Sequence, residues 1–118
     1  MRIEVSYKYL ENSEFIQNIL DNNFKKLDRK LKSYKRTDPI HISVHIEKNP
    51  HKDQFFCRSH VYLPTSKVLI ADEKGSNSSI AINKSFSAIS RQLSKEKQKW
   101  QSRRRKEVRH RDEARTQI

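Results

Sequence analysis

Apolar and polar residues alternate over Met1–Tyr9, with Ile3, Val5 and Tyr7 on every second position. That is the period of a β-strand. The period changes after Glu11-Asn12-Ser13-Glu14, where Asn12 or Ser13 is suited to cap a helix and acids sit near its first turn. From Glu14 to Lys32, Ile16, Leu20, Phe24, Leu27 and Leu31 fall on one helical stripe. Lys25, Arg29 and Lys32 lie roughly opposite, with Lys26 and Lys30 flanking. Thr37-Asp38-Pro39 breaks the helix. Ile40, Ile42, Val44 and Ile46 then alternate with His41, Ser43, His45 and Glu47, the clearest strand in the chain. Asn49-Pro50 signals a turn, and Phe55–Leu63 reads as the next strand. Its Phe55, Cys57, Ser59, Val61 and Leu63 share one face, and Phe56, Arg58, His60 and Tyr62 the other. Pro64-Thr65-Ser66 connects to a further strand at Lys67–Asp72, and Glu73–Ser78, with the single glycine Gly75, reads as a loop. A long helix starts near Asn77–Ser79 and carries Ile82, Phe86, Ile89, Leu93 and Trp100 on one stripe, with Lys84, Arg91 and Lys95 near the opposite pole.

The order is β-α-β-β-β-α. It predicts an α+β domain in which a four-stranded sheet buries both apolar stripes by packing both helices on one face. The stripe fades after Trp100. Residues 1–100 therefore read as the folded domain, and residues 101–118 as a basic tail, a frayed helix or a disordered segment.

Charge gives this layout its meaning. Apolar residues make up 33% of the 118, charged residues 34%, and the net charge is +12. Residues 101–118 hold seven Lys or Arg and three acids, so residues 1–100 still carry +8. The bias thus belongs to the folded part as well, and such a field attracts polyanions. Lys25, Lys26, Arg29 and Lys30 from the first helix and Lys84, Arg91, Lys95 and Lys97 from the second would form a cationic ridge if the helices lie side by side. Lysine and arginine neutralise phosphates and release counterions, which gives salt-dependent, largely sequence-independent binding. A merely solvated surface would normally mix comparable numbers of both signs.

The other surface is the outer face of the sheet, where His41, His45, Phe56, Arg58, His60 and Tyr62 project. Such side chains stack bases in single-strand RNA binders, and they also suit any half-exposed sheet. His41 and His45 stand about 13 Å apart along one strand, too far to share a metal ion. Cys57 faces the core, where a thiol packs as a small apolar group. With one glycine there is no phosphate-cradling loop, and no nucleophile triad or carboxylate pair stands out. The chain reads as non-enzymatic, with no cofactor and no small-molecule substrate. No apolar run approaches the length of a membrane span, and Met1–Leu10 lacks the hydrophobic region of a signal peptide. A cytoplasmic protein without a membrane partner is expected.

Three stretches resemble a known family. "KKLDRKLK" (Lys25–Lys32), "IHISVHIEKN" (Ile40–Asn49) and above all "SAISRQLSKEKQK" (Ser87–Lys99) are similar to segments of the ribosome hibernation-promoting factors, also called ribosome-associated translation inhibitors. The resemblance spans about residues 1–100. It implies a domain similar in shape to double-stranded-RNA-binding folds. It also implies that the chain occupies the decoding region of the small ribosomal subunit and silences translation in stationary phase or stress. The partners implied are the small ribosomal subunit and ribosomal RNA. Carried over by position, Lys26, Arg29, Arg91, Lys95 and Lys97 are the implied RNA contacts; Lys25, Lys30 and Lys84 come from the helical wheel alone. The chain departs from the family in having Tyr7 near a common glycine, and Asn77, Ser79 and Asn83 where an acid, a tyrosine and an acid are common. A module for structured RNA away from the decoding site, or an adaptor for an acidic protein, uses the same residues.

Overall fold

The computed structural model describes the backbone of residues 2–32, 40–64 and 67–116, and side chains as far as Lys99. The break at Thr37–Pro39, the connecting Thr65 and Ser66, and the side chain of Trp100 lie outside the described residues. The elements are β1 (Arg2–Lys8), α1 (Glu14–Leu31), β2 (His41–Lys48), β3 (Phe55–Tyr62), β4 (Val68–Gly75) and α2 (Ser78–Thr116).

Each helix begins where a polar side chain can accept an orphan backbone N–H. Ser13 Oγ accepts from the Ile16 amide at 3.2 Å, and Asn77 Oδ1 from the Ile80 amide at 2.9 Å. The sheet order is β1-β2-β3-β4, with β1 parallel to β2 and the other pairs antiparallel. The parallel pair follows from α1, which serves as the crossover between β1 and β2. Both helices pack on the same face. Ile16, Leu20, Phe24, Leu27 and Leu31 of α1 join Ala81, Ile82, Phe86, Ile89 and Leu93 of α2 over Ile42, Val44, Ile46, Cys57, Val61, Leu69 and Ala71 of the sheet. Phe24 and Phe86 meet edge-to-face at 5.4 Å and join the helices. The five stripe residues of α1 are the five that it buries.

The reading of Glu73–Ser78 as a loop is corrected. β4 continues to Gly75, whose partner across the ladder is Phe55, so only Ser76 and Asn77 connect strand to helix. The eight residues of β3 draw β4 out to matching length. Gly75 then lies so close to α2 that an added Cβ would stand 2.6 Å from Ile80 Cγ2 and 2.8 Å from the Ala81 nitrogen.

Two polar devices fix α2 on the sheet. Inside, Ser85 donates to the Ala71 carbonyl at 3.1 Å, which directs the Ser59 hydroxyl, 2.8 Å away, to donate to Ser85. Cys57 Sγ lies 3.9 Å from Ser59 Oγ and completes the chain. All three side chains are buried, so each donor has found a partner. Outside, the Gln92 amide meets the main chain of Ile70 in both directions, accepting from its nitrogen at 3.3 Å and donating to its carbonyl at 2.7 Å. Gln92 thereby mimics a neighbouring strand and covers part of an open sheet edge.

Candidate nucleic-acid interface

The helices lie side by side on the sheet, so their outer surfaces form one continuous face. At about 100° per residue, Lys25 and Arg29 lie opposite the buried stripe of α1, while Asn23, Lys26 and Lys30 are turned toward α2. On α2, Asn83, Ser87 and Ser90 are turned toward α1, and Lys84, Arg91 and Lys95 point away from the sheet. Lys25, Lys26, Arg29, Lys30, Lys84, Arg91 and Lys95 are all exposed. Asn23, Lys26, Lys30, Asn83, Phe86, Ser87 and Ser90 line an open groove of about 400 Å³ between the helices. Asn23 spans it, donating to Asn83 Oδ1 at 2.9 Å.

The acids are sorted away from this face. Glu14, Asp21 and Asp28 recur every seven residues and run down the flank of α1 that is turned from α2. Glu96 lies on the opposite flank of α2, within 3.5 Å of Lys67 and 3.7 Å of Lys99. Between the two flanks the surface offers ammonium, guanidinium, amide and hydroxyl donors. Such a surface suits phosphate oxygens, with charge supplying attraction and the amides and hydroxyls supplying direction.

Lys97 is placed differently from the other seven. Its ammonium donates to the Lys30 carbonyl at the end of α1, where the helix leaves its last carbonyls unpaired and its dipole favours a cation. Burial, with the neighbouring Lys30 charge second, pulls the Lys97 pKa below the usual lysine value. This contact ties α2 to α1 at the end of the ridge. Sequence reasoning found the cations through their pole on each helical wheel. It did not find Asn23, Asn83, Ser87 and Ser90, because uncharged residues join a groove only once the two helices are set in register.

The sheet's outer face carries the second set of expected residues. Four rows cross it: Arg2, His41, Tyr62 and Val68; Glu4, Ser43, His60 and Ile70; Ser6, His45, Arg58 and Asp72; Lys8, Glu47, Phe56 and Lys74. Here the signs are mixed. Glu4 lies 3.6 Å from His41, Glu47 lies 3.4 Å from His45, and Arg58 bonds Asp72 at 3.0 Å. Cations unmatched by neighbouring acids are therefore concentrated on the helical side of the domain.

Comparison with known proteins decides the family. The family model described as sigma 54 modulation protein / S30EA ribosomal protein matches residues 3–101. The chain belongs to that family. The S30EA family is ribosome-associated and non-enzymatic, and its match spans all four strands from Ile3 onward and the packed part of α2. Two solved structures share the fold. The N-terminal domain of Protein Y from Thermus thermophilus is 17% identical with a TM-score of 0.63, over 79% of this chain and 96% of that one. A ribosomal subunit interface protein from Coxiella burnetii is 18% identical with a TM-score of 0.59, over 82% and 98%. No curated protein matches. No helix among the described residues is long and apolar enough to cross a membrane.

Proposed function

We propose that this protein binds the small ribosomal subunit near its decoding region through the outer faces of α1 and α2, and that it inhibits translation there during stress or stationary phase. Lys25, Lys26, Arg29, Lys30, Lys84, Arg91 and Lys95 meet phosphates of ribosomal RNA, and Lys97 holds the two helices in register. The observation that carries the reading is the sorting of charge. Cations of both helices share one face while the acids stand on its flanks, in a chain of a ribosome-associated family. The subunit-interface description of the Coxiella neighbour supports the same location. The mechanism is occupation. A rigid domain seated by phosphate contacts excludes messenger and transfer RNA without making or breaking a bond, and the site is cytoplasmic because ribosomes are. Residues 1–100 do this work, and residues 101–118 add seven Lys or Arg against three acids.

The test is co-sedimentation with purified small subunits at two salt concentrations, with and without messenger RNA and initiator transfer RNA. Salt-sensitive binding that either ligand displaces supports the decoding region. Binding that survives both ligands moves the site elsewhere on the subunit. Absence of binding refutes the proposal.

A further inference from the structure

The open face of the sheet is unused by the helices and by the function proposed above. Both helices pack on its other side, and no described element covers it. One corner is built of rings and apolar side chains. His41 lies against Tyr62 with centroids 5.4 Å apart and planes 27° from parallel, and His60 stands 6.3 Å from Tyr62 at 59°. Val68 and Ile70 on β4 continue the same two rows. Tyr62 remains 40% exposed and Ile70 52%. Ring surface is therefore left open rather than consumed within the cluster. His41 Nε2 is shielded from solvent yet has no hydrogen-bond partner, its nearest acidic oxygen being Glu4 Oε2 at 3.6 Å. A shielded polar atom without a partner is uncommon in a finished surface.

The charges around the corner favour an anionic occupant with flat rings. Arg2, Lys8, Arg58 and Lys74 share this face with Glu4, Glu47 and Asp72. Each of the three acids already lies within 4.0 Å of a cation or a histidine. Lys74 makes no ion pair with another described side chain. A partner would meet engaged carboxylates beside guanidinium groups with donors to spare, because Arg58 meets Asp72 through Nε and Nη2 only and Arg2 stands 4.0 Å from Glu4, in the field of a chain of net charge +12. An acidic protein would satisfy the charge but would leave the ring stack unused. Unpaired bases use both, because every base offers a π-face and its phosphate follows alongside.

We infer that the open sheet face is a second nucleic-acid surface, on which unpaired RNA bases stack against the Tyr62, His41 and His60 cluster while Arg58 and Arg2 hold the neighbouring phosphates. The domain is then two-sided, taking phosphates on its helices and unpaired bases on its sheet. The two sides differ in physics. Phosphate contacts weaken steeply with salt, whereas stacking on an aromatic ring persists.

The test uses the full chain and two fluorescein-labelled unstructured oligonucleotides, decauridylate and decaadenylate, followed by fluorescence anisotropy at several salt concentrations. Tyr62→Ala with His60→Ala is expected to weaken binding about 5- to 160-fold at every salt concentration, since one base stack contributes about 1–3 kcal/mol. The salt slope stays that of wild type, and Tyr62→Phe, which keeps the ring, retains wild-type affinity. Arg91→Glu with Lys95→Glu lowers the salt slope while keeping the dependence on Tyr62. Circular dichroism confirms that each variant is folded. Wild-type affinity in the Tyr62→Ala, His60→Ala variant overturns the inference. So does an equal loss in Tyr62→Phe, or failure of the wild-type chain to bind either oligonucleotide, which is the result expected if the face docks a protein. Ribosome co-sedimentation is read separately, so loss of the sheet surface and loss of the helical interface are distinguishable.

Discussion

Reversing the charge at two exposed positions of α2 separates binding from folding. Arg91 and Lys95 are exposed and make no ion pair with another described side chain. Glutamate has nearly the helix propensity of arginine and lysine, so Arg91→Glu with Lys95→Glu should shift stability by no more than about 0.5 kcal/mol. Binding should respond far more strongly. Each neutralised phosphate contributes about 0.9 to the slope of log affinity against log salt, by analogy with duplex DNA. Losing two such contacts lowers the slope by about 1.8, which at about 0.1 M salt corresponds to about 60-fold in affinity. Reversal adds repulsion, so 60-fold is the smaller end of the expected loss. The assay is binding to purified small subunits from about 0.05 to 0.3 M salt, with thermal unfolding of the same samples. An unchanged slope in a folded variant would refute the proposal that α2 meets phosphates.

Three further outcomes test the fold. Ser85→Ala removes the Ser59 and Ala71 hydrogen bonds and strands the buried Ser59 hydroxyl, so urea unfolding should show a loss of about 2–3 kcal/mol. Adding Ser59→Ala should then cost less than the single changes predict, and simple additivity would contradict the hydrogen-bonded chain. Gly75→Ala places a methyl against the Ala81 nitrogen at 2.8 Å, which a flexible side chain cannot relieve, and should cost about 1–3 kcal/mol; an unchanged melting temperature would exclude the close approach. Burial pushes the Cys57 thiol above its ordinary value against the hydrogen bonds of Ser85 and Ser59. Because the folded value is the higher one, the stabilisation is full below the ordinary thiol pKa of about 8.5 and fades as pH rises beyond it. A disulfide reagent at pH 8 should label Cys57 only as fast as the protein opens, and labelling at the rate of a free thiol would show that Cys57 is not buried.

The alternation of Ile42, Val44 and Ile46 and the stripe from Ile16 to Leu31 determined strand and helix by themselves, because a side chain's face follows from local geometry alone. The same wheels placed Lys25, Arg29, Lys84, Arg91 and Lys95 on solvent, and each is exposed. Ser13 was legible as one of two cap candidates beside Asn12, and the start of α2 as lying near Asn77, since a cap acts within four residues. Gly75 was misread because strand length is set by the partner strand, and β3 pulls β4 three residues beyond Asp72, where the strand was expected to end. The parallel pairing of β1 with β2, the clip of Gln92 on Ile70 and the Ser59–Ser85 bond join residues far apart in the chain. No period encodes such contacts. The interhelical groove belongs with them: Asn23 and Asn83 are sixty residues apart and become neighbours only when two apolar stripes settle on one sheet face. Sequence thus determined the elements and the sign of their surfaces. Tertiary packing decided which cations share a groove, which lysine is tied to a helix end, and which rings of β2 and β3 meet across the strands.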